Sequence, residues 1–476
     1  TAATLAVGTP EDVEFAYTDA HLATPQSTPL SVSMPLTSRG HGPDRVMPWL
    51  SNLLPDEDQV RDRWAAKFNS RDRSPFGLLR HMGQDAPGAV QVVPHGVVPN
   101  TAGELTAISE QEIASRIAGI ITDPDPWVDD SNEDDSRFSL AGTQGKFTLA
   151  RIGESSYEPN GRAPSTHIVK PGMRLASGAT NAEAMAVEFV TMRTARDVGI
   201  PTATAEIIDF AGTPAFVSTR FDRVARADET GSAPPTRIHQ EDFCQALSLY
   251  PGRKYESDGG PSMADMHALV AQLSTAAPGV DVATLADLFA FNLLIAGVDA
   301  HAKNHSFLLR GNQVRLAPAY DLISAHGLWP EARVRHKSHA AVKYGKTRSY
   351  AGTSGRNLAR TADVLGEPRQ RFRDRLRGMI APLADAMQRS IGQLPASLRS
   401  EFVMQMPDRQ ARFAGHLSRA IREMDLDYRE LPRFQPELAN PLRRPTAVWE
   451  PGHYDGDRWI SGRYVRVARR GATTRL

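Results

Sequence analysis

Several residue types are scarce in this chain of 476 residues, and each scarcity excludes a class of protein. A single cysteine, Cys244, excludes intramolecular disulfides and multi-cysteine zinc or iron–sulfur sites, as is typical of a protein in a reducing cytosol. The 55 Lys and Arg residues equal the 55 Asp and Glu residues, so the chain lacks the positive charge of proteins that coat nucleic acid. The longest apolar stretch, residues 288–298, falls short of the ~20 residues that span a bilayer, and we expect no signal peptide. These observations predict a soluble, cytoplasmic protein of about three structural units, with no membrane partner.

Lysine is scarce among the basic residues, since only eight of the 55 are lysine. Where positive charge alone suffices, this chain uses arginine. The two side chains are not interchangeable at phosphates, because the ammonium group is a compact point charge. The lysines are therefore the residues to inspect for phosphate contacts: Lys67, Lys146, Lys170, Lys254, Lys303, Lys337, Lys343 and Lys346.

The succession of patterns along the chain predicts four segments. They are a mixed unit, a strand-rich unit, a helical unit and an Arg-, Pro- and Gly-rich tail expected to be flexible, over residues 1–105, 106–240, 241–432 and 433–476. The first unit is predicted to contain a helix over residues 56–68 and a short strand over residues 89–93. A β-rich lobe followed by a helical lobe is the α+β architecture of a two-lobed protein kinase, here with an extra N-terminal subdomain. That order alone does not establish an activity.

Helix and turn signals predict the elements of the two lobes. Thr180 as N-cap and Gly199 after the last turn predict a helix over residues 181–198. A hairpin is predicted from residues 203–210 and 215–221. In the helical lobe, apolar residues at a spacing of three or four predict helices over residues 242–250, 263–273, 283–296 and 368–391.

The segment with the strongest chemical signal follows the predicted apolar helix that ends near residue 296. Asp299 and Asn304 have the spacing of the base and the neutral Mg²⁺ ligand in a kinase catalytic loop. Lys303 lies between them, in a position to approach a transferring phosphate. Asp321 follows two strand-like segments and is placed like the second metal-binding carboxylate of such sites. Singly, each aspartate is an ordinary loop residue; together they predict phosphoryl transfer from ATP with Mg²⁺.

A lysine at a strand end and a glutamate on the next helix predict a second part of the nucleotide site. Lys170 ends a strand predicted over residues 166–170, and a lysine there, paired with a helix glutamate, would hold the phosphates of ATP. Glu183 and Glu188 both lie on the predicted helix. Glu183 completes a capping box with Thr180, so Glu188 is the better partner.

The turn over residues 139–146 is a candidate phosphate loop. It contains Gly142 and Gly145 and offers backbone N–H groups to phosphates. The turn is neither a Walker A motif nor the usual glycine-rich loop of kinases. Its position as a hairpin tip upstream of Lys170 is what favours the assignment.

Together these residues give the chain a specific resemblance to a known family. It resembles the HipA family of serine/threonine kinases, the toxins of HipBA-type toxin–antitoxin pairs, over about residues 25–430. The resembling segments, in chain order, are residues 35–36, 51–55, 61–63, 83–90, 140–146, 165–171, 220–223, 239–243, 299–304 and 319–321.

The resemblance implies an activity, a substrate class and a partner. The activity is ATP- and Mg²⁺-dependent phosphorylation of an aminoacyl-tRNA synthetase, best known for glutamyl-tRNA synthetase, which arrests translation and gives drug-tolerant persistence. The partner is a HipB-like antitoxin, through which the chain would contact DNA indirectly. One alternative is a small-molecule kinase, which would use the same groups. Another is a non-catalytic scaffold that strengthens the antitoxin's hold on operator DNA, but the intact catalytic residues favour a kinase.

The resemblance also implies a role for each candidate residue. Asp299 is the expected catalytic base with Lys303 beside it, and Asn304 and Asp321 are expected to bind Mg²⁺. The expected nucleotide-binding residues are Ala141, Gly142, Thr143, Gln144, Gly145 and Lys146 of the phosphate loop, Lys170, Glu188, His301, and Thr219, Arg220 and Phe221 of the hinge. Ser139 falls at the family's position of inhibitory autophosphorylation.

Overall fold

The computed structural model describes residues 3–7, 12–56, 58–93, 103–122, 145–160, 163–172, 180–224 and 235–424, together with four short strands between residues 447 and 466. Its internal contacts divide the chain into two units, Thr1–Glu437 and Leu438–Leu476, and each is described by itself. The first unit contains an N-terminal subdomain, a sheet-rich lobe and a helical lobe.

The N-terminal subdomain has a hydrophobic core of its own, in which Trp49 and Trp64 are buried. Its three-stranded antiparallel sheet has the strand order β1-β2-β3. The elements are β1 (Ala3–Val7), β2 (Val13–Tyr17), α1 (Asp19–Ala23), β3 (Gly40–His41), α2 (Pro43–Ser51), α3 (Asp58–Lys67) and α4 (Pro75–Met82). The helix predicted over residues 56–68 is α3.

The strand predicted over residues 89–93 is wrong, because this segment pairs with no strand in the described part of the chain. The N–H group of Val92 donates to the carbonyl of Gly83 (2.8 Å), and that of Ala89 donates to the ring of His239 (3.4 Å). These bonds connect the segment to its own subdomain and to the helical lobe, so its backbone groups do not form a ladder.

The sheet-rich lobe is a six-stranded antiparallel sheet with the order β4-β6-β5-β7-β9-β8. Its elements are β4 (Glu104–Ala107), α5 (Glu110–Thr122), β5 (Phe147–Ile152), β6 (Ser155–Asn160), β7 (His167–Lys170), α6 (Asn181–Asp197), β8 (Ala205–Phe210) and β9 (Thr213–Thr219). Lys170 lies opposite Phe216 in the register of β7 and β9. The last residue of β7 is thereby fixed at the end of the sheet that faces the helical lobe.

Helix α6 begins and ends where its sequence signals predict. The hydroxyl of Thr180 accepts from the N–H of Glu183 (3.1 Å), and the Glu183 carboxylate accepts from the N–H of Thr180 (2.9 Å). Gly199, with φ of +93°, adopts the left-handed conformation that terminates helices. Glu183 is therefore used at the helix start, while Glu188 lies buried one turn and a half further along.

The helical lobe surrounds the apolar helix α9 and a small sheet of the order β12-β13-β14. The lobe contains β10 (Arg223–Val224), β11 (Thr236–Arg237), β12 (His239–Asp242), α7 (Phe243–Ala246), α8 (Met263–Leu273), α9 (Pro278–Leu294), β13 (Ser306–Arg310), β14 (Gln313–Leu316), α10 (Glu331–Lys337), β15 (His339–Tyr344), β16 (Thr347–Ser349), α11 (Gly355–Val364), α12 (Arg369–Gly392), α13 (Glu401–Met404) and α14 (Met406–Glu423).

The helix predicted over residues 242–250 is shorter than expected and comprises only α7. Ser248 has a φ of +54°, and the N–H of Leu249 donates to the carbonyl of Cys244 (2.8 Å). This is the bond pattern of a helix end with a left-handed residue, so the chain turns away before Pro251.

The second unit contains two antiparallel strand pairs. β17 (Ala447–Glu450) pairs with β20 (Arg463–Arg466), and β18 (His453–Asp455) pairs with β19 (Arg458–Ile460). These strands lie within the segment predicted as a flexible tail. Among the described helices of the whole chain, none has the length and apolar character to cross a membrane.

Candidate active site

A cleft between the six-stranded sheet and the helical lobe brings together most of the predicted site residues. Those that line it are Lys146, Lys170, Glu188, Thr219, Arg220, Phe221, Asp299, His301, Lys303, Asn304 and Asp321. Gly145 is buried just before β5. Five predicted residues lie outside the described part of the chain: Ser139, Ala141, Gly142, Thr143 and Gln144. The N-terminal subdomain contributes a third wall, which includes Asn52, Leu53 and Asp56.

Lys170, at the end of β7, lies between two carboxylates of the cleft. Its ammonium group donates to Glu188 Oε1 on α6 (2.7 Å) and to the carboxylate of Asp321. Burial opposes the charge, but Asp321 and Glu188 together raise the pKa of Lys170 above its usual value. The same cation, despite burial, holds the pKa of Asp321 below its usual range. Lys170 is therefore a permanent positive charge that joins the sheet, α6 and the segment after β14.

Lys146 is a second cation of the cleft, but its charge is less well stabilised. Burial lowers the pKa of Lys146 to about 8, and the neighbouring charge of Lys170 acts in the same direction. Asp321 and Glu188 only partly oppose this. An anionic ligand close to both lysines would favour the charged form of Lys146, since an opposite charge within a few ångströms raises the pKa of an amine.

Asp299 lies in the loop that follows α9, and three side chains surround it. The hydroxyl of Tyr255 donates to Asp299 Oδ1, and the amide nitrogen of Asn304 donates to the backbone carbonyl of Asp299 (2.7 Å). His301 Nε2 is 3.6 Å from Asp299 Oδ1. Burial raises the pKa of Asp299, and the hydrogen bond from Tyr255 opposes the rise. The carboxylate is thus oriented by Tyr255, a residue that the sequence analysis did not identify.

Lys303 contacts the N-terminal subdomain. Its ammonium group donates to Asp56 Oδ1 (2.9 Å), and that of Lys254 donates to Asp56 Oδ2 (2.7 Å). Sequence analysis missed Asp56, which falls one residue beyond the resembling segment 51–55. Lys254 carried one signal, since it is among the eight lysines of the chain.

The predicted hinge, Thr219–Phe221, lines the cleft, but its three residues differ in which polar groups are left for a ligand. The guanidinium of Arg220 lies in a buried cluster, where it bonds to Asp222 (2.8 Å) and Ser165 (2.9 Å). The backbone N–H groups of Thr219 and Arg220 donate to the carbonyls of Thr204 and Thr166. Within the described part of the chain, the N–H group of Phe221 makes no hydrogen bond. It is the hinge donor that remains for a ligand.

Asn304 and Asp321 are the side chains that fit a divalent cation. Because the amide nitrogen of Asn304 is used by Asp299, its carbonyl oxygen is the atom that remains for a ligand. The described residues contain no group of three or more His, Cys, Asp and Glu side chains arranged as metal ligands. A cation bound between these two residues would take its other oxygens from phosphates and water, as Mg²⁺ commonly does.

Comparisons with known proteins agree with one another. The HipA-like C-terminal domain family matches residues 138–389, and the HipA N-terminal domain family matches residues 1–93. The putative kinase Y4mE of Sinorhizobium fredii is 34% identical over 384 residues, which are 79% of this chain and 86% of that protein. The serine/threonine-protein kinase toxin HipA of Shewanella oneidensis is 29% identical over 419 residues, which are 84% of this chain and 90% of that protein.

The structure is also similar to a solved one. A chain in the Shewanella oneidensis complex of HipA, HipB and operator DNA superposes with a TM-score of 0.73 at 26% identity, covering 88% of this chain and 96% of that chain. The likeness confirms the predicted α+β fold with a β-rich lobe, a helical lobe and an added N-terminal subdomain.

Proposed function

Because the chain belongs to the HipA family of kinase toxins, we propose that it is an ATP- and Mg²⁺-dependent serine/threonine-protein kinase that arrests growth. The observation that carries the proposal is the arrangement of charges in the cleft. Lys170 bonds to both Glu188 and Asp321, while Asp299 and Asn304 face the same space. A lysine paired with a helix glutamate, a base and two Mg²⁺ ligands are the parts that phosphoryl transfer requires.

The base of the proposed reaction is Asp299. It would accept the proton of the attacking serine or threonine hydroxyl while Tyr255 holds its other oxygen. Burial raises the pKa of Asp299, and a base is most effective when its pKa lies near the operating pH. Asn304, bonded to the backbone of Asp299, keeps the loop in one conformation.

The nucleotide would lie between the two lobes. Lys170 and Lys146 would bind its phosphates, and the N–H group of Phe221 would bind the adenine. Asn304 and Asp321 would hold Mg²⁺, which neutralises charge on the phosphates when it is bound. The guanidinium of Arg220 has no part in this binding, because it is committed to Asp222 and Ser165.

Two further parts of the proposal concern other macromolecules. The family resemblance supports an aminoacyl-tRNA synthetase as the protein substrate, and glutamyl-tRNA synthetase is the first candidate to test. The similarity to a chain solved with HipB and operator DNA supports a HipB-like antitoxin as partner, and DNA contact through that antitoxin. The same similarity is the basis of the scaffold alternative, in which the chain strengthens the antitoxin's hold on DNA without catalysis.

The test is phosphoryl transfer from radiolabelled ATP with Mg²⁺, using the full-length protein and a cytosolic extract, followed by mass spectrometry of the labelled proteins. Asp299→Asn should lower the rate ~10²–10⁴-fold, the usual contribution of a general base. Asp385→Asn is the matched control, because Asp385 lies on the exposed face of α12 and should not matter. If Asp299→Asn keeps more than about a tenth of the rate, Asp299 is not the base. If only small metabolites are labelled, the result favours a small-molecule kinase. If nothing is labelled, the result favours the scaffold.

A further inference from the structure

We propose that Asp56, a residue of the N-terminal subdomain, is a positioning residue of the active site that fixes the catalytic loop through Lys254 and Lys303. The inference rests on the proposed function, because the loop in question carries Asp299. In this arrangement the N-terminal subdomain contributes directly to the geometry of the active site.

The geometry is that of a carboxylate with a separate lysine on each oxygen. Asp56 Oδ1 accepts from Lys303 Nζ (2.9 Å), and Asp56 Oδ2 accepts from Lys254 Nζ (2.7 Å). The side chains of Asp56, Lys303 and Lys254 are 12%, 5% and 17% exposed. Charge-assisted bonds that are shielded from water in this way are stronger and more directional than surface ion pairs.

Both lysines are adjacent to groups that touch Asp299. Lys303 is itself a residue of the catalytic loop. The backbone carbonyl of Lys254 accepts from the N–H group of Ala302 (3.1 Å), so Lys254 is joined to that loop as well. The next residue, Tyr255, donates its hydroxyl to Asp299 Oδ1. Asp56 is therefore connected to the carboxylate of Asp299 by two short routes, one through each lysine.

Asp56 is held rigidly enough to act as an anchor. Arg61 of α3 donates from Nε to the carbonyl of Pro55 (2.7 Å), the residue before Asp56. Asn52 donates from Nδ2 to the carbonyl of Leu249 in the helical lobe (2.7 Å). These bonds fix the position of Asp56 against the helical lobe.

The charges at this point are consistent with the role. Burial raises the pKa of Asp56, but Lys303 and Lys254 lower it further and hold it below the usual range. The carboxylate is therefore ionised throughout the physiological range and neutralises one of two neighbouring cations. Without it, the two ammonium groups would lose the carboxylate that holds them in place, and the catalytic loop would lose this anchor.

The first test is kinetic and uses the full-length protein. Asp56→Asn keeps the shape of the side chain and removes its charge. We expect kcat to fall roughly 10- to 100-fold, the cost of a misplacement near 1 Å, with KM for ATP changed less than about twofold because Lys170 and the hinge are untouched. Asp62→Asn is the matched control, since Asp62 is an exposed aspartate of the same subdomain that pairs with Arg73 at the surface.

A double variant separates positioning from general stability. If Asp56 acts through Tyr255, then Asp56→Asn should cost less than about threefold in kcat when Tyr255→Phe is already present, because coupled residues are not additive. A residue that matters only for stability would lower the unfolding temperature and reduce activity by the same factor in both backgrounds. Equal factors would overturn the route through Tyr255, and unchanged kcat in Asp56→Asn would overturn the whole inference.

The second test does not depend on turnover. Hydrogen–deuterium exchange should quicken in peptides that cover residues 250–260 and 297–305 of Asp56→Asn, and remain unchanged in peptides of α6. If this pattern appears while the wild-type protein transfers no phosphate, the kinase proposal fails and the anchor stands. If the wild-type protein is an active kinase and neither segment responds, the inference about Asp56 is overturned while the proposed function stands.

Discussion

Replacing Lys170 by methionine would perturb both the stability of the protein and its affinity for ATP, and the structure separates the two effects. Lys170 bonds to Glu188 on one side and to Asp321 on the other. Methionine retains most of the buried hydrocarbon chain and removes the charge. Glu188 is then left buried without its cation, and two carboxylates face each other.

The magnitude follows from the burial of each partner. The side chains of Lys170 and Glu188 are 9% and 7% exposed, and breaking a buried pair by removing one partner costs ~3–5 kcal/mol. Asp321 is 35% exposed, so its lost pair adds little because solvent screens it. We therefore expect Lys170→Met to lose about 3 kcal/mol of the free energy of unfolding. Lys170→Met with Glu188→Gln should recover most of that loss, since the remaining buried group is then neutral.

The assay compares both variants with the wild type by denaturant unfolding and by calorimetric titration with ATP and Mg²⁺. The double variant should be nearly as stable as the wild type and still bind ATP weakly, because the phosphates have lost their fixed cation. Lys170→Arg should also bind ATP poorly, since a planar guanidinium does not replace an ammonium group between two carboxylates. Unchanged ATP affinity and turnover in Lys170→Met would refute the reasoning.

The remaining predictions concern a modification and a pH dependence. Ser139, which lies outside the described residues, should become phosphorylated in active protein but not in Asp299→Asn. The modified form should bind ATP weakly, because phosphorylation adds about −1.5 to −2 charges near the phosphate loop. Intact-mass and peptide analysis detects the modification, and titration with ATP measures the affinity of the modified form. A modified form that binds ATP normally would contradict the prediction. Burial raises the pKa of Glu241 from 4.5 to about 8, so between these pH values the carboxyl group is protonated in the folded protein and ionised in the unfolded chain. The free energy of unfolding should therefore be highest below about pH 4.5 and fall as the pH rises towards 8, by at most about 1.4 kcal/mol per pH unit. Denaturant unfolding at pH 5 and pH 8 should show this decline in the wild type but not in Glu241→Gln. If the two proteins differ in free energy of unfolding by the same amount at both pH values, Glu241 does not cause the decline.

Features of the site that depend on local sequence were predictable. The capping box of Thr180 and Glu183 predicted the start of α6, and it also identified Glu188 as the glutamate available to Lys170. Both follow from rules that act over one or two helical turns. The failed strand over residues 89–93 shows the limit of such rules, because a β-type composition cannot form a strand where its N–H groups bond to a turn and to a histidine ring.

Contacts between distant segments were not predictable from spacing. Lys254 and Lys303 lie 198 and 247 residues from Asp56, and ionic side chains follow no apolar period that would align them. Tyr255 gave no signal either, since a tyrosine next to a lysine is common in loops. What brings these residues together is the docking of the N-terminal subdomain on the helical lobe, which is a property of the tertiary fold.

Composition nevertheless carried information that spacing did not. Four of the eight lysines line the cleft, namely Lys146, Lys170, Lys254 and Lys303. Arg220 is the one arginine among the lining residues that the structure describes, and its guanidinium lies in a buried cluster. The reason is steric and electrostatic. An ammonium group fits between two carboxylates, as that of Lys170 does, and two ammonium groups can share one carboxylate, as those of Lys254 and Lys303 do. A planar guanidinium needs a wider partner that accepts two parallel hydrogen bonds. The other four lysines lie outside the cleft, and Lys337, Lys343 and Lys346 are exposed, so the scarcity of lysine narrows the search for a phosphate site but does not locate it without the fold.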